Sequence, residues 1–212
     1  HTVDPPLGLL APLGGHDASR EIHIELPVWA QEKAAKLAFA HGLEDDFVVL
    51  HPGSARAEKF WVAERWAELV AHFQDEAPRR FVLTGGSSAM EQKHIAEIKS
   101  ALQHPVLDLS GQIALLTLAA LFRRARLLVT IDSASMHLAS ALGTPQVALF
   151  GPTNPFHWRP RSSPAVILQG SGPGPVVDFV PKQAPATMKE ISTAQVINAM
   201  QSLLSAPAAL VP

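Results

Sequence analysis

The sequence has no cysteine, which removes disulfides, thiolate nucleophiles and cysteine-based zinc sites together. Charge is scarce too. Asp, Glu, Lys and Arg make up 17% of the 212 residues and sum to a formal net charge of -2, so there is no electrostatic footprint for wholesale nucleic-acid binding. No window reaches the roughly 18 consecutive apolar residues of a transmembrane segment, and the N-terminus lacks the basic and apolar regions of a secretory signal. The ten histidines include no His-x-x-x-His pair, and Asp and Glu do not gather at ligand spacing, so no dedicated metal site is expected. A small-molecule ligand and a cytoplasmic location are the expectations that remain. What the chain does have is apolar residues, 47% of the total, enough for one well-packed domain plus an appendage. It begins at His1 rather than Met, and is expected to be a fragment, a processed product or the ordered part of something longer.

The apolar residues follow a rhythm. Residues 1–27, rich in Pro and Gly, read as the tail of a preceding unit or a linker, and helix formers over residues 29–43 predict an amphipathic helix stopped by Gly42. Strands are then predicted over 47–51, 80–84, 106–109, 127–131 and 146–150, with helices over 62–73, 90–102, 115–124 and 133–142 between them. Such alternation implies right-handed crossovers and a parallel sheet covered on both faces, an α/β Rossmann-like domain over residues 28–187. Residues 165–168 are a candidate edge strand, 151–187 should be mostly irregular, and residues 188–212 form a closing helix and tail with Val196, Met200, Leu203 and Leu204 on one side.

In open parallel sheets ligands bind outside the carboxyl ends of the strands, and three of this chain's strands end in polar turns. The first, His51-Pro-Gly-Ser-Ala-Arg-Ala-Glu-Lys-Phe-Trp61, offers Gly53, the Ser54 hydroxyl and the Lys59 ammonium beside a helix start. That composition suits a phosphate, or is an ordinary turn with a solvated lysine. Thr84-Gly85-Gly86 ends the second strand, as a ligand loop or a tight turn, and Glu91 follows in a helix first turn that the helix dipole alone would favour. Asp132 ends the strand over 127–131, with Ser133 at the N-cap and His137 one turn on; the carboxylate meets a ligand or caps backbone amides, and the histidine meets a ligand or packs in the core. Arg123, Arg124 and Arg126 sit at a helix C-terminus, where cations suit the dipole.

Together, His51-Pro-Gly-Ser54 with Lys59 and Trp61, Leu83-Thr-Gly-Gly86, Asp132-Ser-Ala-Ser-Met-His-Leu-Ala139 and Phe150-Gly-Pro-Thr153 resemble glycosyltransferase family 9, the lipopolysaccharide heptosyltransferases of Gram-negative bacteria. The match is ordered from about residue 44 to 155; His1-Thr-Val-Asp4 with Leu9, Leu10, Leu13 and Gly14 is similar to the end of that family's N-terminal domain, and residues 188–204 to its C-terminal helix. The resemblance implies the C-terminal, donor-binding half of a two-domain GT-B enzyme. It implies an inverting, metal-independent transfer of heptose from ADP-heptose to a lipopolysaccharide inner-core acceptor, without a cofactor, at or near the cytoplasmic side of the inner membrane. Carried over residue by residue, Ser54 and Lys59 hold the diphosphate, Glu91 the ribose and the backbone near Ile113 the adenine. Asp132 grips heptose hydroxyls, while the amides of Ser133 and Ala134 and the His137 side chain lie at the phosphate or sugar; Gly53, Thr84 and Gly85 complete the donor site. No catalytic residue is expected in this chain, because the family's general base belongs to the N-terminal domain that brings the acceptor. At Asp132-Ser-Ala134 the family commonly has Asp-Thr-Gly: the hydroxyl survives, and a methyl replaces the glycine hydrogen. The alternatives are a nucleotide-sugar-binding module without activity and a sugar-nucleotide epimerase of GT-B architecture.

Overall fold

The computed structural model describes residues 22–43, 46–76, 78–170 and 172–206. The similarity noted at residues 1–14 lies outside them. Six strands form one wholly parallel sheet: β1 (Phe47–His51), β2 (Arg80–Leu83), β3 (Leu107–Asp108), β4 (Leu127–Ile131), β5 (Gln146–Phe150) and β6 (Ala165–Gln169), in the order β3-β2-β1-β4-β5-β6. Registers such as Val49 opposite Val82 and Leu128, and Val129 opposite Val147, place the four central strands side by side. The chain leaves β1 for β2 on one side and returns to β4 on the other. The loops after β1 and β4 therefore part company there, which opens a crevice at the carboxyl edge.

Alternation along the strands builds both layers of core, since successive side chains point to opposite faces. On one face Val48, Leu50, Val129, Ile131, Val147 and Leu149 pack with Trp66, Leu69 and Val70 of α2 (Ala63–Glu76) and Ile95 and Ile98 of α3 (Ala89–Ala101). On the other, Phe47, Val49, Val82 and Leu128 pack under α1 (Val28–Ala40) and α4 (Leu115–Arg124). The last two helices between sheet strands are α5 (Ala134–Ala141) and the single turn α6 (Pro155–Trp158), which lies in the stretch expected to be mostly irregular. The closing helix α7 (Thr193–Ser205) puts Val196 and Met200 into the first face, so residues 188–206 share the main core. Arg126 donates to the carbonyls of Leu204 (2.8 Å) and Ala206 (2.5 Å), tying the end of that helix to the start of β4.

The amphipathic character expected of α1 takes an unexpected form. Its buried stripe is Ala30, Ala34 and Ala38, while Trp29 and Phe39 are 52% and 75% exposed. Small residues at every fourth position let the backbone of α1 approach α4 closely, and the bulky apolar residues are left outside. Gly42, at φ 61°, ends the helix as anticipated, and Gly143, at φ 75°, ends α5.

Candidate active site

Ten of the eleven residues singled out in the sequence meet at one place. Gly53, Ser54 and Lys59 from the turn after β1, Gly85 and Glu91 after β2, Ile113 after β3, and Asp132, Ser133, Ala134 and His137 after β4 line a single cleft of about 630 Å³. Thr84 is the exception: it is fully buried beneath the cleft and does not line it.

The centre of the cleft is an ion pair between two residues that were read separately. Lys59 Nζ lies 2.7 Å from Asp132 Oδ2 and 3.3 Å from the Asp132 carbonyl, and Thr153 Oγ1 donates to the same Oδ2 at 2.6 Å. Both side chains are largely buried, 14% and 7% exposed. Asp132 does not cap the following helix: its Oδ2 accepts from Lys59 and Thr153, and Ser133 stands at the N-cap. Among the described residues no partner falls on Oδ1, which leaves that oxygen for a ligand.

The glycines have a local explanation. A methyl at Gly53 or Gly86 would collide with the Glu91 carboxylate, which lies wedged between the two turns. Glu91 accepts from the Ser88 hydroxyl at 3.0 Å and the Gly86 amide at 3.4 Å, while Ser88 caps α3 by accepting from the Glu91 amide. The space beside Gly53 is thus filled by a carboxylate that bridges the ends of β1 and β2.

Below this layer His51, 5% exposed, fixes the site to the sheet. Its Nδ1 is 2.9 Å from Thr84 Oγ1 and its Nε2 is 2.9 Å from Ser135 Oγ. The Thr84 hydroxyl donates to the Leu50 carbonyl at 3.2 Å, so Thr84 accepts from Nδ1–H and Ser135 donates to Nε2. One neutral imidazole therefore joins β1, β2 and the first turn of α5. Burial pushes its pKa down to about 4 from 6.5. Between those values the unfolded chain binds a proton that the folded chain refuses, so stability should fall as pH drops from 6.5 to 4, by roughly 3 kcal/mol in all. His94, also lowered first by burial, contributes in the same direction. Urea unfolding at pH 7 and pH 5 should show the loss, and His51→Gln should flatten it; an unchanged pH slope in that variant would clear His51.

Ser133 stands at the N-cap of α5 in extended conformation, φ -150° and ψ 172°, yet its hydroxyl makes no capping bond. That Oγ is buried without a partner among the described residues, at the cleft wall, where a ligand would satisfy it. Ala134 has no positive φ, so the methyl in place of glycine costs no backbone strain. His137 is exposed on the helix face beside the cleft rather than packed in the core. Desolvation of its ring lowers its pKa, the Asp132 charge raises it and the Lys59 charge lowers it, with a net shift below the usual histidine range.

The cleft also holds residues to which the sequence assigned no role. Leu115 and Leu118, with Ile113, make an apolar wall at its β3 end; Thr153 and Trp158 close the β5 end; Arg56, bonded to Glu58 at 2.6 Å, stands at the mouth. Thr153 was within reach of sequence reasoning, since Gly151-Pro-Thr153 is a further polar turn after a strand on the same rim. Nothing in local composition marks Trp158. Arg159 lies 4.1 Å from the centre of the Phe179 ring, a packing role for its guanidinium. Among the described residues no group of three or more His, Asp or Glu gathers, and no helix is long and apolar enough to cross a membrane.

Lipopolysaccharide heptosyltransferase 3 of Escherichia coli K12 is 30% identical over 161 residues, which cover 76% of this chain and 46% of that protein. The glycosyl transferase family 9 structure from Veillonella parvula DSM 2008 superposes with a TM-score of 0.82 at 30% identity, over 96% of this chain and 60% of that one. The E. coli ADP-heptose LPS heptosyltransferase II shares the fold, with a TM-score of 0.69 at 24% identity over 90% and 56% of the two chains. The chain spans about half the length of the curated relatives it matches. The model of glycosyltransferase family 9 (heptosyltransferase) matches residues 1–179, and the chain belongs to that family.

Proposed function

We propose that this chain is the donor-binding half of an inverting GT-B heptosyltransferase and that its cleft holds ADP-heptose. The observation that carries the reading is the order of chemistry across the sheet edge: an apolar wall after β3, and at the β1–β4 parting the Lys59 ammonium, the α5 amides and the Asp132 carboxylate, whose Oδ1 has no partner among the described residues. A base, a diphosphate and a sugar fit that order. Lys59 Nζ has three protons, of which two point to Asp132, leaving the third for a phosphate oxygen. The amides of Ser133 and Ala134 add the positive end of α5, so negative charge that develops on a departing ADP is met by fixed donors without a metal. Heptose as the transferred sugar and lipopolysaccharide as the acceptor are supported by similarity to lipopolysaccharide heptosyltransferases. The general base and the acceptor site belong, in this reading, to an N-terminal half.

A crystal structure of the chain with ADP tests the assignment. The β-phosphate should lie against Lys59 Nζ and the Ser133 and Ala134 amides, with adenine on Ile113 and Leu115. ADP bound outside this cleft, or inserted in reverse, would contradict it.

A further inference from the structure

The cleft ends on an aromatic ring that the donor reading above does not use. Trp158 is 43% exposed, an unusual place for a large apolar ring, and it lines the same cleft as Lys59 and Asp132. The ring is held rather than loose. His137 meets it in a T-shaped contact, with centroids 6.3 Å apart at 66°. The one-turn helix that carries it is fixed at both ends: the Asn154 side chain accepts from the Phe156 amide at 2.8 Å and donates to the carbonyls of Val180 (2.9 Å) and Pro181 (3.2 Å), while Arg159 donates to the Phe156 carbonyl at 2.8 Å and packs over Phe179. The ordering cost of presenting the indole is therefore met in the fold before any ligand arrives.

Strand order decides which part of a ligand it faces. With neighbouring strands about 4.8 Å apart, the loop after β5 lies about 19 Å from the loop after β3. The phosphate donors fall between the two, at the parting of β1 and β4. A ligand with its base on the β3 side and its diphosphate at the centre must extend its third part toward β5. A pyranose ring presents hydroxyls at its edge and C–H groups on its faces, and the negative face of an indole suits the latter. We propose that Trp158 is a specificity-determining residue that stacks on the transferred sugar of the donor, while Asp132 takes its hydroxyls. The assignment rests on the donor reading of the cleft.

Titration of the full chain with ADP and with ADP-heptose tests it, in wild type, Trp158→Ala and Trp158→Phe. Trp158→Ala should lose about tenfold in affinity for ADP-heptose and less than about twofold for ADP, and Trp158→Phe should recover most of the loss, because a phenyl face also stacks. Binding of ADP-heptose should also quench indole emission more than ADP does; Trp61 and Trp66 are fully buried, and Trp29 lies on α1, away from the cleft. Equal losses for both ligands would assign Trp158 to the nucleotide or to the fold and overturn the proposal, as would an alanine variant that binds both like wild type. Wild type that binds ADP but gains nothing from the sugar would overturn it while leaving the nucleotide site intact. Wild type that binds neither ligand would remove the donor reading itself, and this proposal with it.

Discussion

Alanine at Lys59 is expected to lower the stability of the chain by about 3 kcal/mol and to weaken ADP binding by tenfold or more, with adenosine binding unchanged. The two effects have different causes. Lys59 and Asp132 form a largely buried pair, and removing the cation leaves a carboxylate 7% exposed with Thr153 as its one partner among the described residues. Breaking a buried pair in this way costs about 3 to 5 kcal/mol, and the low end is expected because the pair borders an open cleft. The lost phosphate contact is a separate charge-assisted hydrogen bond worth about 1.5 to 3 kcal/mol. Adding Asp132→Asn to Lys59→Ala should restore much of the stability and none of the ADP affinity. Urea unfolding and calorimetry on the single and double variants separate the two contributions. Unchanged stability would show that the pair is not formed in solution, and equal losses for ADP and adenosine would move Lys59 away from the phosphates.

Asp132→Asn alone should reverse the pattern. Asparagine keeps the shape and can still accept from Thr153, but it releases Lys59 from its counter-ion. ADP affinity should hold or rise, while ADP-heptose affinity falls by about 1.5 to 3 kcal/mol relative to ADP, the worth of a hydrogen bond to a charged acceptor. The ratio of the two affinities is the observable, and it does not depend on how much stability the variant has lost. An unchanged ratio would take Asp132 off the sugar and leave it a partner of Lys59 only. The resemblance placed Lys59 and Asp132 at different parts of the donor; the ion pair couples them, so that one variant acts on both parts.

That pair marks the limit of what the sequence could disclose. The strands Phe47–His51, Leu127–Ile131 and Gln146–Phe150 were legible because each is a short, mostly apolar run between turn residues, as a strand buried on both faces requires. The rim followed from them, since the polar groups stand at the strands' ends. Contacts between distant segments did not follow: Lys59 and Asp132 are 73 residues apart, and each looked like a ligand group because its partner was out of sight. His51 read only as the end of a strand, because its role depends on Thr84 and Ser135, which arrive from two other loops. The third strand was expected over four residues and is two, Leu107–Asp108, although the Leu109 and Gly111 amides still donate to the carbonyls of Leu83 and Gly85, each at 2.9 Å, along the end of β2. For α1 the helix was legible from its helix formers and Gly42, but its buried face was not. Alanine counts little toward an apolar stripe in a sequence, yet here it supplies the buried one.

Calorimetric titration of the intact chain with ADP and with UDP tests the central claim most directly, because the two ligands share the diphosphate and differ in the base. If the cleft is built for an ADP-sugar, the apolar wall of Ile113, Leu115 and Leu118 should favour the larger purine, and ADP should bind at least about tenfold more tightly than UDP, a difference of about 1.4 kcal/mol. Equal or tighter binding of UDP would contradict the account.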